Sequence, residues 1–258
     1  MALRRPRRRR LDPNAMTTVE HLRELRRRLI RAIVAVTIGA IAAYAVYPHL
    51  LSVLTEPLCT VEHEPHCVLY VTGPIDGFAI RLKVAAVAGL FLASPIVLWE
   101  LWRFVAPGLK RGERRLTLGF LVSSVALFVA GGVVAWLVYP RALGFFQSAA
   151  GAQVHAIYTP QSYLSLLLIL MIAFGVAFLF PVVLVGLELA GVVSPAALRR
   201  HRRPAWLGII VVVAILIPSN DPYSLTAMTV PLLVFYELSI VVGSALTKRR
   251  ARVADAGG

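Results

Sequence analysis

The sequence predicts an all-α integral membrane protein with six transmembrane helices and both termini on the cytoplasmic side. Of its 258 residues, 58% are hydrophobic and 16% are charged, whereas soluble domains average about 45–50% apolar and about 25% charged residues. Most of the 27 Lys and Arg residues lie in four short segments, and long apolar runs separate these segments. Because basic loops stay on the cytoplasmic side of a membrane, this alternation predicts the orientation as well as the fold class.

The basic residues also indicate the kind of surface that the chain contacts. Its net charge is +14, but the positive side chains border runs that water cannot solvate, so anionic lipid headgroups explain them better than nucleic acid does. We therefore expect a lipid bilayer as a partner and no nucleic acid. The four basic segments are residues 1–31, 103–115, 199–203 and 248–252. The connecting segments on the opposite side of the membrane contain only three basic residues, Arg81, Lys83 and Arg141.

Three regions follow from this pattern. Residues 1–28 form a basic cytoplasmic arm with an amphipathic segment, residues 29–246 a six-span membrane domain, and residues 247–258 a cytoplasmic tail. The Arg-rich start does not resemble a secretory signal, because the first sustained apolar run begins only near Leu29. Met16 is an alternative start of the chain.

The first four spans are long apolar runs, and each approaches or exceeds the ~20 residues that cross a hydrocarbon core. Pro48 is expected to end the first span and Pro140 the third, whereas Pro95 and Pro181 are expected to kink the second and the fourth. The four spans are predicted at about residues 29–47, 78–105, 116–138 and 163–189.

The fifth and sixth spans are predicted to be short. Only thirteen residues lie between Pro204 and Pro218, which as a helix is roughly 20 Å at about 1.5 Å per residue. A re-entrant hairpin is the alternative to a short true crossing. We favour the crossing, because basic residues precede this run and follow the sixth span, which starts near Tyr223.

The first outer loop, residues 49–76, contains both cysteines of the chain, Cys59 and Cys67. Two thiols this close together in an exported loop predict a disulfide, because that compartment is oxidising. A metal site that also uses His63 and His66 is the alternative. The spacing matches no established zinc pattern, so we expect no metal and no cofactor.

Two segments of the chain carry a recognisable signature. Residues 21–29 read His-Leu-Arg-Glu-Leu-Arg-Arg-Arg-Leu, and residues 102–115 read Trp-Arg-Phe-Val-Ala-Pro-Gly-Leu followed by Lys-Arg-Gly-Glu-Arg-Arg. Further matches are Phe-Gly-Val-Ala-Phe at 174–178, Pro-x-x-Asp at 218–221 and Tyr-Glu at 236–237. Together these segments resemble TatC, the polytopic subunit of the twin-arginine (Sec-independent) protein translocase. The long basic arm and the cysteine-bearing loop resemble actinobacterial members of that family.

The resemblance implies a receptor that binds the Arg-Arg motif of signal peptides at the cytoplasmic face. It implies TatA-like and TatB-like single-span partners, a multimeric complex, and export of folded proteins driven by the protonmotive force. No enzymatic activity is expected. From the residues alone, a secondary transporter or channel with buried carboxylates remains the alternative, and so does a scaffold for a membrane complex.

Carboxylates are the groups that a receptor for two guanidinium groups requires. The resemblance assigns the twin-arginine contacts to Glu24 and Glu113, and the scarcity of acidic residues in the cytoplasmic segments favours the same pair. A purely structural role is the alternative for each: Glu24 would pair with Arg28 one helical turn away, and Glu113 would offset its basic neighbours. Other residues of the two motifs are expected to support the site: His21, Leu25, Arg26, Phe104, Pro107, Gly108 and Arg114.

Three further carboxylates fall within the apolar runs, where an ionisable group is costly and normally faces protein or a water-filled cavity. Glu100 and Glu188 lie near the inner ends of their spans and are expected to reach the interface. Glu237 is expected to lie deeper and is a candidate for a proton-responsive or partner-contacting group. Asp221, in the outer turn, is expected to cap the sixth span.

The chain departs from the family pattern at two polar positions. Leu179 stands where the resemblance leads us to expect a Glu before the proline of the fourth span, and Leu225 stands where it leads us to expect a Gln. In addition, Glu100 replaces an expected Gln. We therefore expect the membrane surfaces that dock partner helices to be less polar than is usual for the family.

Overall fold

The computed structural model describes residues 18–62, 69–105, 114–151, 158–189, 191–219 and 221–255. Within these ranges the chain is helical, with no strand. The helices in order are α1 Thr18–Ala45, α2 Tyr47–Glu62, α3 Asp76–Val105, α4 Arg114–Ala150, α5 Pro160–Phe178, α6 Phe180–Leu189, α7 Pro195–Arg200, α8 Arg202–Leu216 and α9 Pro222–Asp255.

Five helical segments of the described residues are long and apolar enough to cross a membrane. They are Leu22–Ala45, Asp76–Arg103, Leu118–Ala150, Pro160–Leu189 and Pro222–Ala245. Many large apolar side chains on these helices are exposed, among them Ile38, Ile41 and Leu92. Since a soluble protein would bury such surfaces, these faces are suited to contact lipid. The fold class is therefore an all-helical membrane protein.

The α1 helix contains both the basic amphipathic segment and the first apolar run, without a break at residue 28. It ends at Ala45, close to Pro48, which was predicted to end the first span. Pro48 also occupies the first turn of α2, where a missing N–H costs nothing because that N–H has no partner within the helix.

The α2 helix occupies the first half of the long outer loop that the sequence predicted. Leu54 and Leu58 are buried one turn apart on one face of it, so the apolar spacing is helical. The backbone oxygen of Val53 accepts a hydrogen bond from Trp136 Nε1 at 3.0 Å, and that of Leu54 accepts one from the Tyr163 hydroxyl at 3.0 Å. This short helix is thus fixed to α4 and α5.

The α1 and α3 helices approach closely at a pair of glycines. A Cβ added to Gly39 would lie 2.7 Å from the Gly89 backbone oxygen, and a Cβ added to Gly89 would overlap the backbone of Ala40. Small residues allow such contacts between membrane helices. The contact determines which residues of α1 and α3 face each other farther along the pair. The α3 helix continues through Pro95.

The α4 helix continues through Pro140 to Ala150, so the prediction that the third span closes at this proline is wrong. Membrane helices tolerate an internal proline where neighbouring structure supports the loosened turn. Here Tyr139 and Leu143 are buried on either side of it, and the Tyr139 hydroxyl donates to the Tyr163 backbone oxygen at 2.8 Å.

The fourth apolar run is divided into α5 and α6. The interruption falls at Leu179, two residues before Pro181. The Leu179 N–H donates to the Val176 oxygen at 3.1 Å, three residues back, which is the tighter bonding that marks the end of a helix. Because a proline cannot donate the next backbone hydrogen bond and crowds the preceding turn, Pro181 explains this position.

The last three helices form the C-terminal part. The α8 helix has 15 residues, about 22 Å at roughly 1.5 Å per residue, and it is too short to be one of the five membrane-capable segments. The apolar part of α9, Pro222–Ala245, has 24 residues, so the prediction of a short sixth span is wrong by length. The helix continues to Asp255 and includes most of the predicted tail.

Candidate functional site

Four charged side chains form one ionic cluster between α1 and α3. Arg28 Nε donates to Glu24 Oε1 at 3.2 Å, and Arg28 Nη2 contacts the same oxygen. Arg28 Nη1 donates to the Glu100 backbone oxygen at 3.3 Å and lies 3.7 Å from Glu100 Oε2. Arg31 Nη1 lies 3.3 Å from Glu100 Oε1. Two carboxylates thus share two arginines.

Exposure differs strongly across this cluster. The Arg28 and Glu100 side chains are 11% and 10% exposed, whereas those of Glu24 and Arg31 are 31% and 53% exposed. A buried charge requires a partner, because its desolvation costs several kcal/mol in rough terms. Glu100 and Arg28 therefore form the buried part of the cluster, and Glu24 offers the carboxylate that a ligand from solution reaches first.

Helical spacing accounts for the arrangement. Glu24, Arg28 and Arg31 lie four and three residues apart on α1, so they share one face of the helix. The pairing of Glu24 with Arg28, which the sequence offered as the structural alternative, is present, but Arg28 is also bound to Glu100 on another helix. Glu100 itself is buried where α1 packs against α3.

The structure describes only part of the predicted binding site. Leu25 and Arg26 are exposed on α1 beside Glu24. Three predicted residues lie outside the described residues: Pro107, Gly108 and Glu113. Three more have a described helical backbone, while their side chains lie outside the description: His21, Phe104 and Arg114. The structure therefore brings Glu24 together with Glu100 and leaves its relation to Glu113 untested.

Trp102 anchors the end of α3 to other helices. Its indole Nε1 donates to Ser124 Oγ at 2.7 Å, and its ring lies 5.2 Å from the Phe120 ring on α4. A Cβ added to Gly186 on α6 would lie 3.2 Å from the same indole. Trp102 therefore has a packing role next to the basic segment that carries Glu113.

Glu188 is buried between helices. Its residue is 3% exposed, and neither carboxylate oxygen accepts a hydrogen bond from the residues that the structure describes. A Cβ added to Gly243 would overlap this carboxyl group. The group thus fills the space that the glycine leaves between α6 and α9.

Glu237 is paired with a basic residue. Its Oε2 lies 2.8 Å from Arg202 Nη2, and its side chain is 33% exposed. Arg202 is the first residue of α8, so Glu237 lies beside the start of α8. The two residues meet because Arg202 and Glu237 lie at similar distances along their helices from the turn that joins α8 to α9.

Asp221 caps α9. It is fully buried, its Oδ1 accepts from the Ser224 N–H at 2.7 Å, and its Oδ2 accepts from the Ser219 hydroxyl at 2.6 Å. A side-chain acceptor in this position satisfies a backbone donor of the first helical turn. Leu225 lies in that same turn and donates its N–H to the Asp221 backbone oxygen at 3.1 Å.

Cys59 is disulfide-bonded, and Cys67, its predicted partner, lies outside the described residues. Among the residues that were described, no group of three His, Cys, Asp or Glu side chains is placed to hold a metal ion.

Sequence reasoning missed the roles of Arg31 and Arg202. Glu100 is 69 residues from Arg31 and 72 from Arg28, so no local spacing indicated that they meet. The sequence signal was indirect: a carboxylate within an apolar run requires a cation, and arginines lie in the first half of α1 and at the start of α8.

A family model described as Sec-independent protein translocase protein (TatC) matches residues 20–231. A TatC protein of Frankia casuarinae is 34% identical over 255 residues, which cover 95% of this chain and 70% of the relative. The TatC protein of Aquifex aeolicus is 35% identical over 246 residues, with 93% of this chain and 100% of the relative covered.

Two solved structures are similar in fold as well. A crystal structure of the twin-arginine translocase receptor TatC in DDM superposes with a TM-score of 0.72 at 35% identity, covering 87% of this chain and 99% of that one. A second crystal structure of the receptor gives a TM-score of 0.71 at 35% identity, covering 88% and 100%.

These similarities decide between the function classes that the residues alone left open. They extend over most of the chain, and they concern a component of a protein translocase rather than an enzyme. They give no support to a small-molecule transporter or channel. The chain belongs to the TatC family of Sec-independent protein translocases.

Proposed function

We propose that this protein is the signal-peptide receptor and core subunit of a twin-arginine translocase, which exports folded proteins across the cytoplasmic membrane with the protonmotive force. The observation that carries the proposal is the Glu24 carboxylate. It is partly exposed, lies next to the apolar part of α1, and already binds a guanidinium group, that of Arg28. A signal-peptide arginine presents the same guanidinium group and is able to form the same charge-assisted hydrogen bonds with this carboxylate.

Glu24 and Glu113 bind the two signal arginines in this proposal. An ionised carboxylate and a planar guanidinium form charge-assisted, often bidentate hydrogen bonds that a lysine ammonium cannot reproduce. The surrounding motif residues shape the surface and hold the segment between α3 and α4: His21, Leu25, Arg26, Phe104, Pro107, Gly108 and Arg114.

The basic surroundings of the site limit how an arginine approaches it. The exposed residues Arg23, Arg26 and Arg27 lie next to Glu24 and repel cations at long range. Screening restricts that repulsion to a Debye length of about 8 Å at physiological ionic strength. Contact with a carboxylate and burial of the signal's apolar segment supply the favourable free energy.

The membrane topology that we propose has six spans with both termini in the cytoplasm, and α8 is the fifth crossing. Arginines at residues 199–203 precede α8, and Lys248, Arg249 and Arg250 follow the apolar part of α9, so both ends of the α8–α9 hairpin favour the cytoplasmic side. A helix of about 22 Å is accommodated by local thinning of the bilayer. Residues 1–28 and 247–258 are then the cytoplasmic arm and tail.

TatA-like and TatB-like single-span proteins are the proposed partners, within a multimeric complex. Glu237 supports a docking role for α8 and α9, because an apolar groove of about 380 Å³ surrounds it. The groove is lined by Trp206, Leu233, Val234, Leu238 and Val241. A partner helix with a polar group would find an acceptor within an apolar surface there.

Site-specific photo-crosslinking in inverted membrane vesicles tests the receptor proposal. The bait is a signal peptide with Arg-Arg, compared with the same peptide carrying Lys-Lys. We expect crosslinks at positions next to Glu24 and Glu113 with the first peptide and their loss with the second. Equal crosslinking of both peptides, or none with either, would overturn the proposed recognition of paired arginines.

A further inference from the structure

We propose that Glu100 is a positioning residue of the receptor site: it takes over Arg28 when a signal-peptide arginine replaces Arg28 on Glu24. The inference rests on the proposed function, since it concerns how the Glu24 carboxylate becomes available. Glu100 does not touch the signal peptide in this scheme. It receives the cation that the signal displaces.

The Arg28 guanidinium lies between the two carboxylates. Its Nε and Nη2 face Glu24 Oε1, while its Nη1 faces Glu100, 3.3 Å from the backbone oxygen and 3.7 Å from Oε2. Glu100 Oε2 is buried and accepts no hydrogen bond from the part of the chain that the structure describes. An acceptor is therefore already in place beside the guanidinium group.

Displacement without such an acceptor would be costly. The Arg28 side chain is 11% exposed, so a signal arginine that took Glu24 alone would leave a buried cation without a counter-ion. Breaking one side of a buried pair in this way is far less favourable than keeping every charge paired. Transfer of Arg28 to Glu100 keeps the buried charge paired throughout the exchange.

The movement that the exchange requires is small. A charge-assisted N–H···O bond is about 2.7–2.9 Å long, so Arg28 Nη1 has to approach Glu100 Oε2 by only about 1 Å from its present 3.7 Å. Arg31, the other partner of Glu100, is 53% exposed and is stabilised by water when it moves aside. The cluster therefore has an acceptor for Arg28 and a second cation that is able to leave.

The scheme predicts that Glu100→Gln weakens recognition of arginines, because Arg28 then stays on Glu24. On the complete translocase complex in lipid nanodiscs, we expect the affinity for an Arg-Arg signal peptide to fall about tenfold, the size of one charged hydrogen bond. The affinity for the Lys-Lys peptide should change little. A folding defect would instead weaken the binding of both peptides alike. The ratio of the Arg-Arg affinity to the Lys-Lys affinity therefore separates a positioning role of Glu100 from a merely structural one.

Arg28→Gln supplies the second arm of the test. Without Arg28, the cation that Glu100 receives in this scheme is absent, so adding Glu100→Gln to Arg28→Gln should leave the affinity ratio at the Arg28→Gln value. Asp76→Asn is the matched control, since it removes a carboxylate at the opposite end of the same helix. It should leave the ratio unchanged.

The outcomes distinguish this inference from the proposed function. Retained Arg-Arg preference in Glu24→Gln would overturn the proposed site and the exchange together. Loss of that preference in Glu24→Gln, with an unchanged ratio in Glu100→Gln, would overturn the exchange alone. A ratio that falls in Glu100→Gln by the same factor with or without Arg28 would also overturn it, because the effect would then not pass through Arg28.

Discussion

Carboxylates next to the apolar helices meet different electrostatic environments, and these environments set what each group can do. Glu100 is bound by two arginines and Glu237 by one, whereas Glu188 has no hydrogen-bond donor among the described residues. Glu24 is the carboxylate that combines an arginine partner with partial exposure on α1. A buried, paired carboxylate stabilises helix contacts, while an accessible one is available for exchange with a ligand.

Charge reversal at either proposed contact tests the residue assignment directly. Glu24→Lys and Glu113→Lys should each abolish binding of Arg-Arg signal peptides, because a cation then replaces the acceptor that a guanidinium requires. Peptide binding to membranes containing each variant is the measurement. Glu56→Lys makes the same change on α2 and is the control, and we expect it to bind normally. Binding retained in both variants would remove Glu24 and Glu113 from the site.

Gly243→Ala should lower the melting temperature of the detergent-solubilised protein, because the new methyl group overlaps the Glu188 carboxyl group. Overpacking of this kind costs about 1–3 kcal/mol. Gly208→Ala on α8 meets open space and is the control. Glu188→Ala should restore stability in the Gly243→Ala background, and a double variant as unstable as Gly243→Ala alone would contradict this account.

At the scale of the elements, helix contacts are made by small residues and by side chains that cross between helices. Gly39 and Gly89 bring α1 against α3, and Gly131 brings α4 so close to α5 that a Cβ would overlap the Phe174 backbone oxygen. The Tyr236 hydroxyl ties α9 to α7 through the Leu198 oxygen at 2.9 Å. Close backbone approach thus sets the register of the charged cluster.

Gly89→Ala should separate α1 from α3, since the added Cβ overlaps backbone atoms of Ala40 that cannot move aside alone. We expect a stability loss of about 1–3 kcal/mol, measured as a lower melting temperature, together with weaker Arg-Arg binding as the ionic cluster loses its alignment. Gly77→Ala, on the same helix in open space, is the control for helix propensity. Equal melting temperatures and equal Arg-Arg binding in the two variants would show that the close α1–α3 contact does not stabilise the protein or align the ionic cluster.

The helices could be predicted from the sequence where their hydropathy determines them. Features that depend on packing between helices could not be predicted in this way. The long apolar runs are helices, and Pro181 lies next to a real interruption of the fourth run. Pro140 was wrongly predicted to end a span, because a proline alone does not show whether neighbouring helices support it. The pairing of Glu100 with Arg28 depends on helix contacts between residues distant in sequence, which composition and spacing do not specify.

On the scale of the whole molecule, charge and apolar length together determine how the protein sits in a membrane. Five segments of the described chain are long enough to cross a membrane, whereas α8, with 15 residues, is shorter than any of them. Its N-terminal end follows the arginines of α7, and its C-terminal end leads to the capped turn before α9. If the arginines of α7 and the basic residues 248–250 after α9 are both inside, α8 has to cross in full. A re-entrant α8 would return that turn to the inside.

Cysteine accessibility distinguishes these two arrangements. In a chain with Cys59→Ser and Cys67→Ser, a single new cysteine is placed either at Ser219→Cys in the turn before α9 or at Ala196→Cys on the exposed surface of α7. A full crossing predicts that a membrane-impermeant maleimide labels position 219 in intact cells and position 196 only after permeabilisation. Because the arginines of α7 favour the inside, position 196 serves as the internal reference. Strong labelling of both positions in inverted vesicles, with neither labelled in intact cells, would refute the fifth crossing and establish α8 as re-entrant.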